Sequence, residues 1–138
     1  ELLEKAAEPL RIMMDIKDQH LELQGELDMV LQVDKNWMAE ALENILKNAS
    51  EHGPNGSPIL VTVENRPLSR VIEFTNKGEI RSEEIPHLFT RFYRGSRASK
   101  DSVGIGLAIS RAIILQQEGQ VEVRSGEGET TFTIRFPK

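Results

Sequence analysis

The sequence predicts an α+β fold, a two-layer sandwich in which helices cover one face of a mixed, mostly antiparallel sheet. Three observations support this prediction. A long segment at 36–52 has the apolar spacing of a helix, short apolar or alternating runs on both sides of it are typical of strands, and the chain ends in a hairpin around Gly126-Glu-Gly128. Antiparallel strands mixed with helices in this order favour a sheet with one buried and one solvated face.

The same patterns predict the other elements. Residues 2–17 form a moderately amphipathic helix, which Pro9 should kink. Asp34 is placed to cap the helix at 36–52, and Gly53-Pro-Asn-Gly56 ends it. Strands are expected at 20–24, 29–33, 59–64, 71–75, 121–124 and 131–136, with a short helix at 82–88 and a longer one at 104–117.

Length and composition predict one globular domain over residues 1–138. A chain of this length buries roughly two-thirds of its unfolded surface. The net charge of −5 disfavours nucleic acid as a partner, and the absence of cysteine excludes disulfides and thiolate metal sites. No apolar run approaches the ~18 residues of a membrane span. Since the chain starts at Glu1 without methionine, we interpret it as a piece of a longer protein.

The helix at 36–52 carries the strongest functional signal. Asn44 and Asn48 lie four residues apart on one edge of its apolar face, together with Trp37, although each asparagine costs about 0.5 kcal/mol of helix propensity. Carboxamide oxygens suit Mg²⁺, which proteins usually bind together with substrate phosphates. The alternative is that both amides face water or cap nearby loops. The apolar face consists of Met38, Ala41, Leu42, Ile45, Leu46 and Ala49.

Two segments downstream extend this signal. They are Leu88-Phe-Thr-Arg-Phe-Tyr-Arg-Gly95 and Ser102-Val-Gly-Ile-Gly-Leu-Ala-Ile109. Together with the asparagine pair, in this order and spacing, they resemble the ATP-binding catalytic domain of bacterial sensor histidine kinases. The resemblance runs from about residue 34 to the C-terminus. It implies a Bergerat-type fold, with three helices on a mixed sheet and Mg-ATP bound between the helices and a mobile lid.

The resemblance also implies roles for residues of the long helix. Asn44 and Asn48 would hold Mg²⁺ and the nucleotide, and Glu40, one turn earlier, would orient or deprotonate the nucleophile. A solvent-facing Glu40 is the alternative. His52 stands where the family usually has an aromatic residue, so it could stack on adenine or ribose or interact with the helix dipole. Glu51 replaces a usual lysine and cannot bind a phosphate.

The expected adenine-binding segment departs from the family pattern. Asn76 aligns with the aspartate that accepts the adenine amino group, and Gly78 aligns with the first glycine of the following turn, with one residue missing before Ile80. An asparagine oxygen accepts that hydrogen bond without charge assistance. A simple turn after a strand is the alternative. The resemblance adds Ile80 and Thr131 to the nucleotide-binding residues.

The lid is expected at 91–103. It carries Arg91, Arg94, Arg97 and Lys100, whose cations suit phosphate oxygens, although an exposed basic loop is the alternative. Phe89, Phe92 and Tyr93 are interpreted mainly as its apolar anchors, with Phe89 and Tyr93 included among residues near the nucleotide. Ser102 replaces the family's first glycine, and a helix starting at this point offers free amides to phosphate. The residues expected there are Gly104, Ile105, Gly106 and Leu107.

The histidines indicate what the chain lacks. His20, His52 and His87 have no sequence resembling a phosphoacceptor motif around them. The γ-phosphoryl of ATP would therefore pass to a histidine in a separate dimerisation domain, and then to a response regulator receiver domain. The full-length protein would be a membrane-bound homodimer with this domain in the cytoplasm. Alternatives are a degenerate nucleotide sensor without phosphotransfer, a serine kinase that regulates a sigma factor, and an ATP-hydrolysing clamp.

Overall fold

Helices and strands form two layers in the computed structural model, which describes residues 2–27, 31, 33–89 and 106–138. A helical layer packs on one face of a five-stranded sheet. The helices are α1 (Leu2–Ala7), α2 (Arg11–Ile16), α3 (Lys35–His52) and α4 (Gly106–Gln116). The strands are β1 (Leu21–Gly25), β2 (Ile59–Asn65), β3 (Ser69–Lys77), β4 (Gln120–Gly126) and β5 (Glu129–Pro137).

The sheet has the strand order β1-β2-β3-β5-β4, with β1 parallel to β2 and every other pair antiparallel. Alternate residues of β3 and β5, such as Phe74, Phe132 and Ile134, are buried in the core under the helices. The opposite face is polar, and there Arg124 lies 3.5 Å from the Glu73 carboxylate. The predicted two-layer α+β architecture, with one covered face and one open face, is confirmed.

Helix α3 is the central element of the helical layer. The Asp34 side chain caps it by accepting hydrogen bonds from the backbone N–H groups of Asn36 and Trp37, both at 3.0 Å. All six apolar residues of the predicted face are buried. The predicted cap and core face of this helix are therefore confirmed.

The N-terminal helix is interrupted at the predicted place. Between α1 and α2 lies a single 3₁₀ turn, Glu8–Leu10, with Pro9 at its start. Proline lacks the N–H that a continuous α-helix would need there, so the helix axis is broken. Ala6, Leu10 and Met14 still reach the core, one from each of the three short pieces.

Two elements differ from prediction. The helix expected at 82–88 is only one 3₁₀ turn, Ile85–His87, with Pro86 at its start. Of the strand expected at 29–33 only Leu31 and Val33 are described, and neither lies in a strand. Both pack against the core, so their apolar character reflects burial and not sheet pairing. The rest of that strand and residues 104–105 of the last helix lie outside the described residues.

Candidate functional site

The end of α3 and the end of β3 lie at the same end of the molecule. Helix α3 ends at His52, and after six intervening residues the chain enters β2 at Ile59. Ile59 pairs with Asn76 near the end of β3. Asn76 shares the helix-covered face with Phe74, because side chains two apart on a strand point the same way. The second half of α3 and the end of β3 therefore border one region.

Helix α4 runs antiparallel to α3 and begins beside Asn44. The Ser110 hydroxyl donates to the Ala41 carbonyl at 2.8 Å, and near the other end the Asp34 N–H donates to Gln117 Oε1 at 3.1 Å. A Cβ placed on Gly106 would lie 3.5 Å from Asn44 Oδ1. Gly106, in the first turn of α4, therefore lies at van der Waals distance from the Asn44 carboxamide.

Two carboxamide oxygens at this end of the molecule are buried without a hydrogen-bond partner among the described residues. They are Asn48 Oδ1 and Asn76 Oδ1. The Asn76 amide is held in place, because its Nδ2 donates to the Lys77 carbonyl at 2.8 Å and the side chain is only 2% exposed. A buried acceptor left unpaired costs about 1–3 kcal/mol, so each of these oxygens requires a donor or a cation from water, from a ligand or from a part of the chain outside the described residues.

The turn after β3 is held against the C-terminal hairpin. Gly78 has φ of 102°, a conformation that favours glycine, and its N–H donates to the Gly128 carbonyl at 2.7 Å. The Ile80 N–H donates to Ser125 Oγ at 2.8 Å, and the Ile80 side chain is buried. The shortened segment that follows Asn76 is therefore fixed in the structure.

Thr131 is not brought to this region. It lies on the open face of the sheet, where its hydroxyl is 3.0 Å from the hydroxyl of Thr75. The threonine next to Asn76 is Thr130, which is its register partner on β5, is 1% exposed and donates to the Gly78 carbonyl at 2.8 Å. Side chains alternate along a strand, so a difference of one residue moves the hydroxyl to the other face.

The structure places the other predicted residues in different ways. Glu40 is exposed, and so is Trp37, at 55%. His52 is buried, with 8% exposure. Phe89 packs edge-on against Phe132, with ring centroids 6.2 Å apart, as an apolar anchor would. Leu107 packs against the core. The predicted lid as a whole, with Arg91 and Lys100, lies outside the described residues. The same is true of the other predicted site residues, which are Tyr93, Arg94, Arg97, Gly104 and Ile105.

A clamp on the end of α3 was not predicted. Lys17 Nζ donates to the carbonyls of Ser50 and Gly53, and Gln19 Nε2 donates to the same two carbonyls at 3.2 and 3.3 Å. Burial lowers the pKa of Lys17, and the Glu51 carboxylate opposes that shift. The clamp satisfies carbonyls that a helix end leaves unpaired, and it fixes the turn that carries Asn48.

The two asparagines of α3, the first turn of α4 and the buried Asn76 thus lie at one end of the helical layer. The chain belongs to the family of histidine kinase-, DNA gyrase B- and HSP90-like ATPases, whose sequence model matches residues 33–138. Many of its relatives are sensor kinases of two-component systems. It is 35% identical over 113 residues to the sensor protein VanS of Enterococcus faecium and 37% identical over 115 residues to the sensor protein CzcS of Cupriavidus metallidurans.

Each of these two alignments covers 80% of the chain, but only 29% of VanS and 24% of CzcS. The chain thus spans less than a third of the length of these relatives. Among solved structures, the mycobacterial sensor histidine kinase MprB has a TM-score of 0.84 at 24% identity, covering 99% of this chain and 93% of that one. A structure of histidine kinase ThkA in complex with response regulator protein TrrA has a TM-score of 0.77 at 21% identity, covering 99% and 39%. These structures establish the predicted fold.

Among the described residues no group of three or more histidine, cysteine, aspartate or glutamate side chains could hold a metal ion. The donor set at Asn44 and Asn48 is instead one of neutral oxygens, which fits a cation that arrives with phosphates. No helix in the described parts of the chain is long and apolar enough to cross a membrane.

Proposed function

We propose that this chain is the catalytic domain of a sensor histidine kinase, which binds Mg-ATP and donates the γ-phosphoryl to a histidine in a separate dimerisation domain. The observation that carries this proposal is the pair of buried, unpartnered carboxamide oxygens, Asn48 Oδ1 on α3 and Asn76 Oδ1 on β3. One suits a cation and the other suits an amino group of a base. Together they match the two ends of a metal-bound adenine nucleotide.

Different residues would contact the metal, the phosphates and the base of the nucleotide. Asn44 and Asn48 would hold Mg²⁺, which when bound neutralises phosphate charge. The backbone amides in the first turn of α4, which lies beside the Asn44 side chain, would bind phosphate oxygens. The buried Asn76 oxygen would accept from the adenine amino group. His52 and Ile80, both buried at this end of the molecule, would border the base and ribose.

Glu40 is the proposed catalytic residue. It lies one turn before Asn44 on α3 and is exposed, so its carboxylate is accessible to an acceptor histidine supplied by another domain. In that position it would orient the acceptor or remove its proton during transfer. We further propose that residues 91–103 form a lid, with Arg94 and Arg97 on the phosphates.

The partners are proposed from the relatives. The dimerisation domain of the same protein would supply the phosphoacceptor histidine, and a response regulator receiver domain would take the phosphoryl group from it. The structurally similar ThkA has been solved with its response regulator TrrA. The full-length protein would be a membrane-bound homodimer with this domain in the cytoplasm, since the relatives in sequence include sensor proteins.

A degenerate nucleotide sensor remains the second candidate. The neutral Asn76 replaces a charged acceptor, and Glu51 interacts with Lys17, so neither residue provides the contact expected of it in an active kinase. In this case the chain would bind nucleotide without transferring phosphoryl.

Incubation with γ-labelled ATP tests the proposal. The isolated chain should stay unlabelled, and the dimerisation domain of the same protein should become labelled on its histidine when the two are mixed with Mg²⁺. Binding of ATP without transfer would favour the degenerate sensor, and labelling of this chain alone would favour the serine kinase.

Asn76→Asp should raise the preference for ATP over GTP about fivefold, because a charged acceptor strengthens the hydrogen bond from the adenine amino group. It should also lower the free energy of unfolding by about 1–3 kcal/mol, since the hydrogen bond from Asn76 Nδ2 to the Lys77 carbonyl is lost. Calorimetric titrations with both nucleotides and urea unfolding measure the two effects. Asn55→Asp, in an exposed turn, is the control, and an unchanged ATP/GTP ratio would remove Asn76 from the site.

A further inference from the structure

Four hydrogen-bonding groups next to Asn76 form a chain that begins and ends on the same turn. The Ile80 N–H donates to Ser125 Oγ at 2.8 Å, the Ser125 and Thr130 hydroxyls are 2.9 Å apart, and Thr130 Oγ1 donates to the Gly78 carbonyl at 2.8 Å. Ser125 lies on β4 and Thr130 on β5, so the chain ties the turn after β3 to the terminal hairpin.

The direction of this chain follows from proton counting. A hydroxyl has one proton, and the Thr130 proton must point to the Gly78 carbonyl, which can only accept. Thr130 therefore accepts from Ser125, whose proton is directed to it in preference to the Glu129 carbonyl at 3.4 Å. Ser125 in turn has a lone pair for the Ile80 N–H. Each donor in the chain is thus used once, and the aligned bonds reinforce one another.

The result is a set of engaged donors beside Asn76. Asn76 Nδ2 is bound to the Lys77 carbonyl, and the Ile80, Ser125 and Thr130 donors are used within the chain of bonds. The buried Asn76 Oδ1 remains available. A carboxamide by itself can accept or donate, so asparagine alone does not distinguish a 6-amino from a 6-keto purine. Here the bond from Asn76 Nδ2 to the Lys77 carbonyl leaves Oδ1 as the atom that can face the ligand.

We infer that Ser125 is a positioning residue for base recognition: by engaging the Ile80 N–H and orienting Thr130, it withholds these two donors from the base and so disfavours 6-keto purines. This inference rests on the proposed nucleotide-binding function. Without the Ser125 hydroxyl, the Ile80 N–H becomes a donor that a guanine oxygen can use, and the turn loses its tie to β4.

The test compares Ser125→Ala with Ser125→Thr, which keeps the hydroxyl, and with Thr75→Val. The last variant removes one hydroxyl of the similar Thr75–Thr131 pair, which joins β3 and β5 on the opposite face of the sheet. Three quantities are measured: the exchange rate of the Ile80 amide without nucleotide, the ratio of ATP to GTP affinity, and the affinity for inorganic triphosphate with Mg²⁺. The last shows whether binding of the phosphate end is preserved.

Ser125→Ala should speed exchange at Ile80 about tenfold and lower the ATP/GTP ratio about tenfold, with triphosphate affinity unchanged, while Ser125→Thr and Thr75→Val keep the wild-type ratio. Unchanged exchange at Ile80 would overturn the hydrogen-bond chain. Faster exchange with an unchanged ratio, or an equal change of ratio in Thr75→Val, would overturn the positioning role alone. Absence of nucleotide binding by the wild-type chain would overturn the proposed function, and the Ile80 exchange would still report on the chain of bonds.

Discussion

Asn48→Ala should weaken Mg-ATP binding on the order of 100-fold, while binding of ATP in the presence of a chelator falls by less than about threefold. The reason is that the buried Asn48 oxygen has no partner among the described residues, whereas a metal ion brought by the nucleotide would supply one. Neutral oxygens hold little metal alone, so affinity for Mg²⁺ should rise steeply only when nucleotide is present. Calorimetric titration of ATP with Mg²⁺ and with chelator measures both affinities.

Lys47→Ala is the matched control for this variant. It lies on the same helix, is exposed and faces away from the apolar face, so its removal should leave both affinities unchanged. If Asn48→Ala lowers the affinity for ATP equally with and without Mg²⁺, Asn48 is not a metal ligand. Its side chain would then contact the nucleotide directly or stabilise the fold. Circular dichroism of both variants separates a local effect from unfolding of α3.

Glu40→Gln should slow phosphotransfer to the dimerisation domain on the order of 100-fold, because an amide can neither accept a proton nor stabilise a positively charged imidazole. ATP affinity should stay within about twofold, since Glu40 is exposed and no contact to the fold is lost. Single-turnover transfer from labelled ATP, at saturating nucleotide, measures the rate of the chemical step.

Glu43→Gln, one position before Asn44 on the same helix, provides the comparison. It removes the same charge from α3. If phosphotransfer slows as much in Glu43→Gln as in Glu40→Gln, the effect comes from the electrostatic potential of the helix and not from Glu40 itself. A normal rate in Glu40→Gln would exclude the carboxylate from proton transfer and leave it as a surface residue.

Local signals predicted the central helix well. Its core residues repeat at the spacing of one helical face, and Asp34 is a residue type that caps, so both the face and the start could be derived from a short stretch of sequence. The break at Pro9 is equally local. The pairing of β1 alongside β2 in parallel could not be derived, because the two strands are separated by the whole of α3 and no turn sets their register.

The site was predicted less completely than the fold. The face of the sheet on which Thr130 lies follows from the sequence, since Phe132, Ile134 and Phe136 alternate on the covered face and place Thr130, not Thr131, in phase with them. The Ser125 bond and the Lys17 clamp join segments that are distant in sequence, through side-chain geometry that periodicity does not encode.

The clamp from Lys17 and Gln19 also bears on where the independently folding unit begins. The family match starts at residue 33, yet the carbonyls at the end of α3 are satisfied by residues 17 and 19, and α1 covers part of the α3 core face. A protein shortened to residue 33 would expose that apolar face, lose β1 and leave those carbonyls to water. The family match thus begins inside the folded unit, and a protein that keeps residues 2–32 should be more stable than one that starts at residue 33.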